Sequence, residues 1–269
     1  MSISPALIAS AITQFKGQAL PLLFSPDSNS TDSFADQLAA ALHGGRNMAL
    51  PDPESAYRMM SLINDREVLY KAQFWELKQM GEEVSRLQQA GRRLAVIEAG
   101  NIKPALQDFI SQYNNWIVGF ETDMRSDGLL GGTQAAQVSR YELEQSVRDI
   151  FIGVSHGLHG MADLGITVGA DRTLRVNEAK LDAMLLTNAR SAELAVKEFG
   201  AHFAKSAELL NNSDNFIPRQ LDNLNRAIHY IADNHTAWQA EFGTGDAAKP
   251  TGQIAWALAA YQQAGNTYA

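Results

Sequence analysis

Between Pro53 and Ala90 the chain has no internal proline, and Gly81 is its one internal glycine. Ile63, Tyr70, Leu77 and Val84 recur there every seven residues, flanked by Met60, Phe74, Met80 and Leu87. A run so free of breakers predicts a single helix of about 37 residues, about 55 Å at 1.5 Å per residue. Its apolar line is narrow, coiled-coil-like rather than the broad stripe of a globular helix. Such a line must be covered, because soluble proteins seldom leave a long apolar seam bare. Ile63, Tyr70, Leu77 and Val84 are therefore the interaction candidates. Either the stripe around Leu221 and Ile231 covers them from within the chain, or a partner helix or second copy does. Gly91 is expected to end this helix.

Other helical patterns follow. Asn101 and Pro104 predict the next start, a cap followed by a first-turn proline. Leu106, Phe109, Ile110, Tyr113, Trp116, Ile117 and Phe120 then make a wide stripe that should be the core. Thr133 is the expected cap of a third helix with Val138, Tyr141, Val147, Ile150, Phe151 and Val154 facing inward. Further helices carry Leu194, Phe199, Phe203 and Leu210, and then Leu221, Leu224, Ile228 and Ile231 between Asn215 and Asn234. Trp238 and Phe242 precede a break at Gly243 to Gly252, and a terminal helix carries Ile254, Leu258 and Tyr261.

One stretch reads as strand. Leu164, Ile166 and Val168 alternate with small or polar residues, as do Leu174 and Val176, on either side of Gly169-Ala170-Asp171-Arg172. That is a β-hairpin at about 164–176, with Gly169 expected to take the positive φ of its turn. Asn177 follows as a helix N-cap, with Glu178 in the first turn where the dipole favours an acid. A lone hairpin is barely stable, so helices must cover its apolar face.

The expected fold is mainly α: an elongated antiparallel helical bundle with a coiled-coil-like long helix and one small hairpin. Three regions are expected. Residues 1–50 are an N-terminal arm of short helices (Ala6 to Phe15; Phe34, Leu38 and Leu42), either mobile and docked on other subunits or packed back on the core. Residues 51–235 are the bundle with its hairpin, and residues 236–269 a tail with a short helix.

Composition narrows function. The 269 residues carry a formal charge of −8 and no basic run, which argues against general nucleic-acid binding. Without cysteine there are no disulfides, thiol nucleophiles or thiolate metal sites. No apolar run approaches the roughly 18 residues of a membrane span. Met1 to Phe15 has no positive residue before its apolar part, so export would need a route other than a secretory signal peptide.

Chemistry is hard to find. His156 and His159, with Asp163, have a spacing that could offer imidazoles to zinc. Gly157 and Gly160 suggest the helix ends there, and no third ligand is recognisable, so no metal site is assigned. His202 and His229 read as boundary residues with a satisfied ring nitrogen. Glu82, Glu83, Glu142, Glu144 and Asp149 read as solvated helix-face acids. Gly131-Gly132-Thr133 lacks the lysine and spacing of a phosphate loop and reads as a turn before a cap. No catalytic residue or cofactor is expected, and the chain reads as a non-enzyme.

Three segments resemble a known family. Asp163-Leu164-Gly165-Ile166-Thr167, Asp171, Thr173-Leu174 and Glu178-Ala179-Lys180-Leu181-Asp182 resemble the C-terminal segment of the flagellar filament-cap family, hook-associated protein 2. Upstream, Phe109-Ile110-Ser111-Gln112-Tyr113-Asn114 is similar to its Phe-Val-x-x-Tyr-Asn helix. Gly128-Leu129-Leu130-Gly131 is similar to the Gly-x-Leu-x-Gly turn before its next helix. Together they span roughly residues 105–190. The family commonly has Gly after the hairpin Asp, where this chain has Arg172. The resemblance implies a secreted, oligomeric structural protein of the bacterial flagellum. It would be exported by an uncleaved N-terminus and would pack against itself or other axial proteins. Only about a hundred residues precede the matching segments, so a shortened relative or accessory axial protein is expected. The alternatives are a cytoplasmic helical chaperone or regulator of flagellar or secretion components, and a metal-dependent helical enzyme on His156 and His159.

Overall fold

Among the described residues the backbone is mostly helical, with a two-stranded antiparallel hairpin. The computed structural model describes residues 53–148, 158, 160–249 and 251–267. In order these form α1 (Pro53–Ala95), a 3-10 turn (Ala99–Asn101), α2 (Ile102–Phe120), α3 (Gln134–Arg148), β1 (Ile166–Val168) and β2 (Leu174–Val176). They continue with α4 (Glu178–Thr187), α5 (Ala189–Asn211), α6 (Phe216–Phe242) and α7 (Gly252–Thr267). The expected N-terminal arm and His156 and His159 lie outside the described residues, as do Asp149, Ile150, Phe151 and Val154.

Helix α1 runs 43 residues, about 65 Å, and continues through Gly91 rather than stopping there. The reason is packing. A Cβ on Gly91 would stand 3.0 Å from the Ala204 nitrogen and the Gly200 carbonyl oxygen, and one on Gly200 would stand 2.6 Å from the Gly91 carbonyl oxygen. Both glycines let two helix backbones touch.

The chain divides into two compact units that share α1. In one, residues 80–121 and 137–215, α5 runs antiparallel to the second half of α1. Gly91 meets Gly200 and Ala204, while Asn211 Nδ2 donates to the Gly81 carbonyl at 2.8 Å. Its core is aromatic: Phe109 packs edge-on against Phe199 at 5.1 Å and Phe203 at 4.8 Å, with Tyr113 stacked beside Phe109. Asn101 sits at the N-cap of α2 without a side-chain capping bond, and Pro104 is the third helical residue rather than the first. It costs nothing there, since first-turn N–H groups have no helical partner.

The buried side of α3 differs from the expected one. Val147 is buried as expected, but Tyr141 is 55 % exposed, and Ala135, Ala136, Ser139, Leu143 and Ser146 are buried. The helix turns its small residues inward, and Tyr141 falls on the far face.

In the other unit, residues 53–79, 122–136 and 216–267, α6 runs antiparallel to the first half of α1. Glu67 faces His235 at 3.8 Å, and Gln220 lies in a shallow depression with Tyr70 and Gln73. Ile217, Leu224, Ile231 and Trp238 fill the inner face of α6. This helix runs unbroken through residue 235, where the sequence reading divides core from tail. After it the chain straps back over the start of α1. Tyr57 Oη donates to Asp246 Oδ1 at 2.6 Å, Asn64 Nδ2 to the Asp246 carbonyl at 2.7 Å, and the Asp246 N–H to Ser61 Oγ at 2.8 Å. The Lys249 N–H donates to Asp65 Oδ1 at 3.0 Å. Gly245, at φ 63°, lets this strap lie on the Met60–Ser61 backbone.

Candidate functional site

The four seam residues come first. Tyr70 is 5 % exposed and Ile63, Leu77 and Val84 are fully buried. The contacts of α6 with the first half of α1 and of α5 with the second half cover the line from within the chain. These four side chains are core, and no surface for a partner is left at them. Side chains that do project are Trp75, Trp256, Leu186 and Val96; the Lys78 ammonium stands 5.0 Å over the Trp75 ring.

The hairpin is built as its alternation predicts, in the register Ile166↔Val176, Thr167↔Arg175 and Val168↔Leu174. Its turn differs. Gly169 is not the positive-φ residue; Arg172 is, at φ 64°. The Arg172 N–H donates to the Gly169 carbonyl at 3.0 Å and the Gly169 N–H to the Thr173 carbonyl at 2.8 Å. This is a three-residue loop closing on a left-handed position, which glycine fills at least strain. Asp171 braces it by accepting from the Thr173 N–H at 3.2 Å and Oγ1 at 2.8 Å, which holds its carboxyl below the usual range. Gly165, at φ 84°, turns the chain into β1.

Helix α2 carries the hairpin. Asn114 Nδ2 donates to the Leu174 carbonyl at 3.0 Å, and the Leu174 N–H donates to Asn114 Oδ1 at 2.7 Å. One amide thus serves β2 as a neighbouring strand would. Below it, Asn177 Oδ1 accepts from the Lys180 N–H and caps α4. Lys103 of α2 grips that first turn, 2.8 Å from Glu178 and 2.7 Å from Asp182. Hydrogen bonds to these two acids raise the Lys103 pKa, and the bond from Lys103 lowers that of Glu178.

Glu144 is not the solvated acid its position suggests. Its side chain is 18 % exposed, with Oε1 buried and the Arg172 Nε 3.5 Å away, a charge contact without a formed hydrogen bond. The fully buried Tyr113 hydroxyl nearby also lacks a hydrogen-bond partner, as does Trp116 Nε1. Burial, then the Glu144 charge, drive the Tyr113 pKa upward.

The 122–133 loop shows why its glycines stand where they do. A Cβ on Gly128 would lie 2.1 Å from the Thr122 carbonyl oxygen, and one on Gly131 would lie 1.8 Å from that of Arg125. Thr133 precedes α3, but its hydroxyl donates back to the Leu130 carbonyl at 2.8 Å, as does its N–H at 2.9 Å. With the Gly131 N–H donating to Gly128, these amides close the loop and leave no anion cradle.

Sequence reasoning missed one feature of this unit. The carboxyls of Glu76 of α1 and Asp123 of the loop act on each other's titration. Burial, followed by the Asp123 charge, pushes the Glu76 carboxyl up to about 7. Burial also raises that of Asp123. The two lie 47 positions apart, and no local spacing signals the pair.

Among the described residues no group of three His, Asp or Glu side chains could hold a metal. None of their helices is long and apolar enough to cross a membrane. His229 Nδ1 lies 2.8 Å from the Asn225 carbonyl oxygen. Comparison of the chain with protein-family models, with curated proteins and with solved structures gave no match in any of the three.

Proposed function

We propose that this chain is a non-enzymatic structural or interaction protein of the bacterial flagellum, a relative of the filament cap. It would be exported without a cleaved signal and act by helix packing against itself or other axial proteins. The observation that supports this reading most is the double hydrogen bond between Asn114 and Leu174. It joins two of the segments that carry the family resemblance, the Tyr-Asn helix and the Thr-Leu strand, into one contact. The Gly-Leu-Leu-Gly segment lends support as a turn before a helix, with backbone where side chains would sit. Because Ile63, Tyr70, Leu77 and Val84 are buried, association on this reading uses outward side chains such as Trp75 and Trp256.

The test is fractionation of the source bacterium with an antibody to the chain. The proposal expects the protein in culture supernatant or sheared filaments, and its loss from both when flagellar export is disabled. Recovery in the cytoplasm alone, bound to a filament subunit, would favour the chaperone alternative. Recovery there with no flagellar partner would overturn both.

A further inference from the structure

Side chains on the first turns of α1 read the backbone of the strap that follows α6. Asn64 Nδ2 donates to the Thr244 carbonyl at 3.1 Å and to the Asp246 carbonyl at 2.7 Å. Ser61 Oγ accepts from the Asp246 N–H at 2.8 Å, and Asp65 Oδ1 from the Lys249 N–H at 3.0 Å. Two more contacts select residue type. Tyr57 Oη donates to the Asp246 carboxylate at 2.6 Å, a bond strengthened by the charge on its acceptor. At Gly245 a Cβ would stand 2.6 Å from the Ser61 nitrogen, so a larger residue would lift the strap. Main-chain bonds with side-chain selection are how extended peptides are recognised. The 57–65 face of α1 is such a site, specific for Gly followed by Asp.

The hold on this occupant is light. No residue from 244 to 249 is buried, so little apolar surface resists local opening. The strap leaves α6 at Gly243, at φ 83°, where a Cβ would meet nothing within 4 Å. That residue has the freedom and the space of a hinge. Helix α7 travels with the strap and carries no charged residue. Its transfer to a second chain of formal charge −8 therefore adds no repulsion. On arrival Gln253 finds the same acceptor, the Gly128 carbonyl that it meets at 2.9 Å within one chain.

We propose that the 57–65 face of α1 is a strap-exchange site, at which residues 244–249 of a second copy replace the chain's own and join two copies as a dimer. Each bond above re-forms between copies. The closed and exchanged forms then differ chiefly by the entropy of association and the conformation of Gly243. The exchange is reciprocal, so assembly stops at two.

Light scattering of the full chain, refolded from urea at rising concentration, tests this. The mass should rise toward twice that of one chain, and Gly245→Val should remain at the single-chain mass. A wild type that keeps the single-chain mass throughout overturns the proposal, as does a Gly245→Val variant that dimerises equally. Should Gly245→Val fail to fold, a disulfide trap decides, since the chain has no cysteine of its own. Ser61→Cys with Asp246→Cys, refolded at high concentration and oxidised, should run as a covalent dimer on a denaturing, non-reducing gel. Cross-linking within single chains alone sinks the exchange.

Discussion

Asn114 and Leu174, 60 residues apart, exchange two hydrogen bonds through a single amide side chain. Strand β2 has one neighbour strand, β1, and Asn114 stands in for another. Asn114→Ala leaves a backbone N–H and C=O of β2 without protein partners. At about 1–3 kcal/mol for each unsatisfied group, a loss of about 2–6 kcal/mol is expected in urea unfolding. Asn114→Asp removes the donor and should recover little of it. A loss under about 0.5 kcal/mol would mean water replaces both bonds.

Two glycine substitutions should have opposite signs. At Gly200 a methyl would stand 2.6 Å from the Ala95 nitrogen and the Gly91 carbonyl oxygen. Backbone cannot step aside cheaply, so Gly200→Ala should destabilise by about 1–3 kcal/mol, although alanine is the better helix former by about 1 kcal/mol. At Gly119 of α2 a methyl meets nothing within 4 Å. Gly119→Ala should therefore stabilise by about 0.5–1 kcal/mol. Melting curves that shift in the same direction for both would refute the close helix contact.

Arg172 holds a left-handed conformation that costs a non-glycine residue about 1–2 kcal/mol. Arg172→Gly removes that strain but takes the cation from Glu144. In a Glu144→Gln background the glycine should therefore stabilise by about 1 kcal/mol, and in the wild type by less. Equal gains in the two backgrounds, read by chemical denaturation, would show that the Arg172–Glu144 contact contributes nothing.

Stability should also depend on pH through Glu76. Its folded pKa is raised from 4.5 to about 7, so between those values the unfolded chain releases a proton that the folded chain keeps. Stability is then fully present below about pH 4.5, declines as pH rises, and reaches its floor above about 7. Glu76→Gln should raise the melting temperature at pH 8 and change it little at pH 4. A larger gain at the acid end would reverse the assigned direction.

Features set by neighbours in sequence were legible. The alternation around Ile166 and Leu174 placed the hairpin, although β1 starts at Ile166 rather than at Leu164, and Asn177 announced the cap of α4. The stripe from Leu106 to Phe120 marked a buried face. What failed depends on residues far away. Gly91 reads as a helix end until Gly200 is beside it, because one residue type serves both uses. The inward side of α3 is lined largely by Ala and Ser, which hydropathy patterns do not register, so Tyr141 drew the reading to the wrong face. Glu144 looked solvated because its companions, Tyr113 and Arg172, belong to α2 and the hairpin. The seam on α1 was readable as a line, with the Leu221–Ile231 stripe as one cover for it; that α5 lies along the second half was not.

The strap at residues 244–249 also sets an order of events during synthesis. Tyr57, Ser61, Asn64 and Asp65 find their partners about 180 to 190 residues downstream. At about 5–20 residues per second the ribosome needs roughly 9–38 s to make the chain between them. Through that interval the first turns of α1 exist without the groups that fasten them, and this unit finishes folding only after the strap has been made.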